Sequence, residues 1–109
     1  MNLEDIEIIC KKFDKVTVDI KWGHDLCFNI GGKMFLVVNP TGIPVSASFK
    51  TDEESFVELT ERDGFMPAPY LARHKWVYVI DINRLSKKEW QLFIGRSYEL
   101  VKAKLPKKR

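Results

Sequence analysis

At 109 residues and 12.7 kDa, the chain can bury one hydrophobic core without disulfides or a structural metal, and its length argues for one domain. A hydrophobic content of 45% with 30% charged residues argues against both disorder and a membrane-embedded class, and no apolar run approaches the roughly 18 residues of a spanning helix. The formal net charge of +3 is unevenly spread, −5 over residues 1–64 and +8 over residues 65–109, a bias that points to a polyanionic partner.

Leu3, Ile6, Cys10 and Phe13 recur at helical spacing, with Asn2 placed as cap and Glu4 and Asp5 favoured in the first turn. From Val16 the period changes to two, giving strands through Val16, Val18 and Ile20 and then Leu26, Phe28 and Ile30. Gly31-Gly32 supplies positive φ angles for a tight hairpin into a third strand with Met34, Leu36 and Val38. Asn39-Pro40-Thr41-Gly42 is a turn, and Val45, Ala47 and Phe49 form a fourth strand. Thr51 or Asp52 caps a second helix carrying Phe56, Leu59 and Thr60, which Gly64 ends. Pro67 and Pro69 predict a loop up to a fifth strand, Trp76-Val77-Tyr78-Val79-Ile80. Ser86 opens the longest helix, with Trp90, Phe93, Ile94, Ser97, Tyr98, Val101 and Leu105 on one stripe and Pro106 as its end.

The order α-β-β-β-β-α-β-α with short connections predicts an α+β, two-layer sandwich: a mainly antiparallel five-stranded sheet with helices on one face. The domain is expected to span residues 1–105, followed by a basic tail over 106–109. The acids of Met1-Asn2-Leu3-Glu4-Asp5 stand where a secretory signal carries bases, so a cytoplasmic location is expected. Cys10 and Cys27 lack framework spacing and are expected to be buried thiols.

If the helices cover the apolar side, the opposite face shows Thr17, Asp19, Lys21, Asn29, Lys33, Phe35, Val37, Ser46, Ser48 and Lys50, with Lys75 if the fifth strand keeps phase. Ammonium groups, hydroxyls and an aromatic ring can neutralise phosphates, donate to phosphate oxygens and stack on bases. The rival account is an ordinary solubilising sheet face with Phe35 and Val37 packed under a loop. Arg73-His74-Lys75, after the two-proline loop, is the densest basic point outside the tail. Catalytic signatures are absent: the chain has no Gly-rich phosphate loop, no nucleophile elbow and no zinc ligand set.

Trp22, the Gly31-Gly32-Lys33-Met34-Phe35 segment, the Pro67-Ala68-Pro69-Tyr70-Leu71-Ala72-Arg73-His74-Lys75-Trp76 segment and Ser97-Tyr98 together resemble the MmcQ/YjbR family of small bacterial proteins, from about Leu3 to Leu105. The resemblance implies a frataxin-like or secretion-chaperone-like arrangement whose hairpins are compared to a double wing, and a DNA-binding role drawn from that likeness of shape. Phe49 and Lys50 also match the family pattern.

The expected function is that of a non-enzymatic module contacting duplex DNA through the Gly31-Gly32 hairpin and the open sheet face. Lys33, Lys50, Arg73 and Lys75 would neutralise phosphates, Ser46 and Ser48 would fix register, and Phe35 would stack or wedge. The alternative is a protein or small-ligand binder with Trp22, Phe35, Tyr70 and Trp76 around an apolar pocket. In either case no cofactor, metal or membrane is called for, and a monomer or weak dimer is expected.

Overall fold

The structure, a computed structural model, describes residues 1–106; Lys107, Lys108 and Arg109 of the expected tail lie outside them. Three helices, α1 (Leu3–Lys11), α2 (Glu53–Thr60) and α3 (Lys87–Lys102), pack on a sheet of β1 (Val16–Lys21), β2 (Asp25–Ile30), β3 (Lys33–Asn39), β4 (Ser46–Lys50), β5 (Phe65–Pro67) and β6 (Trp76–Val79). The sheet is antiparallel throughout, in the order β1-β2-β3-β4-β6-β5.

Each helix starts where a side chain satisfies otherwise orphaned amide groups. Asn2 and Asp5 form a reciprocal capping box at α1, Ser86 and Glu89 another at α3, and Asp52 Oδ1 accepts from Ser55 N at 2.7 Å at α2. The expected α3 stripe is buried from Trp90 to Val101. Trp90 is the first residue of the stripe, its Nε1 donating to Ile82 O at 2.7 Å and its ring set edge-on to Phe49. Leu105 lies past the helix end, packed against the core and against Gly31.

The sheet has six strands rather than the expected five. The segment read as a loop contains β5, a three-residue edge strand that pairs only with β6 and ends on Pro67. Proline is tolerated there because an edge strand needs no donor on its outer side. The register puts Val18, Phe28, Leu36, Phe49 and Val77 in one row on the helix-side face, and Asp19, Cys27, Val37, Ser48 and Tyr78 in a row on the open face. Val18 and Ile20 were expected in the core but are 42% and 66% exposed. A helix about 10 Å wide covers roughly two strands spaced at about 4.8 Å, so β1, at the sheet edge, projects beyond the helix layer.

The second correction concerns Phe35. Phe28 pairs with Leu36 but Asn29 pairs with Met34, so Phe35 is the extra residue of a β-bulge. The bulge reverses the side-chain alternation: Met34 joins the open face, and Phe35, fully buried, turns its ring edge-on to Tyr98 of α3 at 5.4 Å. The bulge also ends the β3–β4 ladder at Leu36 and Phe49. Ser97 fills the resulting gap, its Oγ donating to Phe35 O and accepting from Lys50 N at 3.0 Å.

Candidate functional site

The Gly31-Gly32 turn, with φ of 59° and 80°, brings Ile30 opposite Lys33 across a two-residue hairpin. A Cβ on Gly31 would stand 2.6 Å from Leu105 Cδ1, so glycine also permits the close approach of the chain beyond α3. That approach carries Lys102 and Lys104 toward the hairpin. Lys33, Lys50, His74 and Lys104 line one depression of about 250 Å³, with Trp76 and Met34 in its walls. On the other side of the turn, Lys15 and Lys102 line a second depression with Gly31 and Gly32. Among the described residues no carboxylate lines either one, and none pairs with Lys33, Lys50 or Lys104 within ion-pair distance.

Lys50 Nζ donates to His74 O at 2.7 Å. Burial, and then the like charge of Lys104, lower the pKa of Lys50 below the ordinary lysine range. An anion held there binds the protonated form, so its affinity should fall as pH rises, sooner than at an ordinary lysine. Affinity measured across the alkaline range checks this, and Lys104→Glu should shift the fall to higher pH.

The remaining expected phosphate contacts are dispersed. Arg73 is exposed on a 3-10 turn, Ala72–His74, beside the lysine depression but not lining it. Lys75 reaches the other way, its Nζ 5.1 Å from the Phe56 ring centroid of α2, while its carbonyl accepts from Thr51 N and Thr51 Oγ1. Ser46 is buried at the far end of β4, opposite Asn39. Phe35 lies in the core, on neither the open face nor the pocket described next.

Ser48 opens instead onto a pocket of about 530 Å³ on the open face, beneath the Ala68–Leu71 turn. Trp22 and Tyr70 line this pocket with Tyr78, Val37 and Met34; Trp76 does not, being buried beside Lys50. Among the described residues Asp25 is its one charged lining residue. Asp25 Oδ1 is buried and accepts no hydrogen bond, although His24 Nε2 lies 3.3 Å away. Met34 lines both the pocket and the lysine depression.

Both aromatics on the rim sit in backbone conformations that disfavour them. Leu71 N donates to Ala68 O, and within that turn Pro69 precedes Tyr70 at φ 65°, a position that ordinarily takes glycine or asparagine. His24 N donates to Lys21 O around Trp22 and Gly23, at φ 54° and 85°, where asparagine-glycine is usual. Tyr70→Gly should therefore raise the thermal midpoint slightly, by roughly a few degrees, because glycine adopts this φ without strain; calorimetry checks it.

Cys10 and Cys27 are both free and buried. Burial pushes the Cys10 thiol up to about 12, with Glu7 adding to the rise, which keeps it protonated and unreactive. Among the described residues no group of three or more His, Cys, Asp or Glu side chains could hold a metal ion, and no helix is long and apolar enough to cross a membrane.

Sequence reasoning missed Lys104, Met34, Tyr78 and Asp25. Lys104 belongs to the site because Leu105 packs on Gly31, and the position of Leu105 on the α3 stripe was the available signal.

The fold is shared with solved proteins of low sequence identity. A Deinococcus radiodurans protein whose crystal structure contains a DUF419 domain superposes with a TM-score of 0.88 at 22% identity, over 98% of this chain and 83% of that one. A Pseudomonas syringae protein of known crystal structure gives 0.72 at 22% identity, over 92% of this chain and 98% of that one. No curated protein matches the chain. The YjbR family model matches residues 11–100, which contain the hairpin, the bulge, the proline turn and most of α3, and the chain belongs to the YjbR family.

Proposed function

We propose that this YjbR-family protein is a non-enzymatic binding module that holds DNA by its phosphates at the hairpin end of the sheet. The observation that carries the reading is the depression lined by Lys33, Lys50, His74 and Lys104, with no carboxylate lining it among the described residues. Lys15 and Lys102 extend the positive surface around the Gly31-Gly32 turn. The acids of α2 gather elsewhere, with Glu53, Glu54, Glu58 and Glu61 on a separate groove. Cations without acidic partners neutralise phosphates and release counterions, and this supplies affinity without reading sequence.

The contact surface is the sheet's hairpin end rather than its open face. Phe35 offers no ring for wedging, Ser46 is buried away from the lysines, and the open-face row carries Asp19 beside Cys27 and Val37. Titration of duplex DNA at two salt concentrations tests the proposal. About four phosphate contacts predict a roughly hundredfold loss of affinity between about 50 and 200 mM salt. An affinity that does not respond to salt, or no binding at the lower salt, contradicts it.

A further inference from the structure

We infer that the open-face pocket receives one unpaired nucleobase of a DNA strand whose phosphates lie on the neighbouring lysine depression, an inference that rests on the phosphate-binding reading above. The two sites are continuous, since Met34 forms part of the wall of each. Among the described residues no lysine or arginine lines the pocket, which favours an uncharged occupant over phosphate, and its volume of about 530 Å³ lies within the range of small-molecule sites.

The rim is built for a flat ring. Trp22 and Tyr70, on two separate turns, each occupy a left-handed backbone position that glycine or asparagine would fill at lower cost, and both line this pocket. Trp22 is 65% exposed and Tyr70 wholly so, which leaves both rings free to cover an occupant. Tyr78 supplies a third aromatic surface, and stacking on such rings tolerates any base.

The polar groups suit the edge of a base. Asp25 brings a carboxylate to the pocket lining, with its buried Oδ1 turned toward His24 Nε2 at 3.3 Å, and Ser48 brings a hydroxyl. A carboxylate accepts from the N–H groups of a base edge, and guanine presents such donors. A base inside a duplex cannot reach the pocket without unstacking, so the favoured ligand is a single strand, a frayed end or a mismatch.

The test compares two single strands of equal length, one wholly abasic and the other abasic except for one central guanine. Trp22 reports occupancy because Trp76 and Trp90 are buried, and its indole N–H can be followed by NMR. The guanine strand is expected to bind about tenfold more tightly and to shift the Trp22 signal. Trp22→Ala and Tyr70→Ala, both at exposed positions, should reduce its affinity to that of the abasic strand while leaving abasic binding unchanged. Equal affinity for the two strands, with steep salt dependence retained, would overturn the base pocket and leave the phosphate reading standing. Failure of both strands and of duplex to bind would overturn both.

Discussion

Changing Lys33 and Lys104 together to Glu is expected to weaken DNA binding by about 10²–10³-fold at low salt and to lower the slope of log K against log salt by about two. The two side chains reach one depression from distant parts of the chain, the β2–β3 hairpin and the segment after α3. Both are exposed and neither makes an ion pair among the described residues, so the reversal should leave the fold intact. It also removes the like charge that lowers the Lys50 pKa, so Lys50 should titrate at higher pH in this variant. Binding isotherms with a thermal melt of each variant check the expectation. Unchanged affinity in a folded variant would place the phosphate contacts elsewhere.

Ser97→Ala is expected to cost about 2–4 kcal/mol of stability, a large share of the roughly 5–15 kcal/mol that holds a domain of this size. Ser97 is fully buried, and its hydroxyl serves two backbone groups that the bulge leaves without ladder partners, Phe35 C=O and Lys50 N–H. Alanine would strand both away from water, which costs more than the loss of a single exposed hydrogen bond. The urea midpoint should fall with little change in slope. Because the same hydroxyl fixes the backbone of Lys50, DNA affinity should fall as well. A stability change below about 0.5 kcal/mol would mean that the two backbone groups find other partners.

Local chemistry was legible in the sequence wherever one residue type decides one backbone feature. Asn2, Asp52 and Ser86 cap the helices, and Gly31-Gly32 makes the hairpin, because those side chains or their absence suit those positions directly. The face of Phe35 was not legible, since one extra residue in β3 reverses the alternation and a bulge leaves no mark in hydrophobic period. β5 was hidden by its three-residue length and its proline. Val18 and Ile20 follow the period of a buried strand, but how far the helix layer extends is a tertiary matter.

The candidate site was partly legible for the same reasons. Lys33 and Lys50 could be placed from strand register, whereas Lys104 joins them only through the packing of α3 and Leu105. Trp22 and Tyr70 were visible as pocket candidates. Their strained turns were not, because turn preferences predict small residues at those positions. Local rules fail here at the rim of a pocket, a common location for stored backbone strain.

Amide chemical-shift mapping during titration with DNA at low salt tests the central claim most directly. The account predicts the largest shifts at Gly31, Gly32 and Lys33 of the hairpin, at Lys50, and at His74, all receding as salt is added. Shifts centred on the acidic face of α2 or on the exposed edge of β1, or none at all, would contradict it.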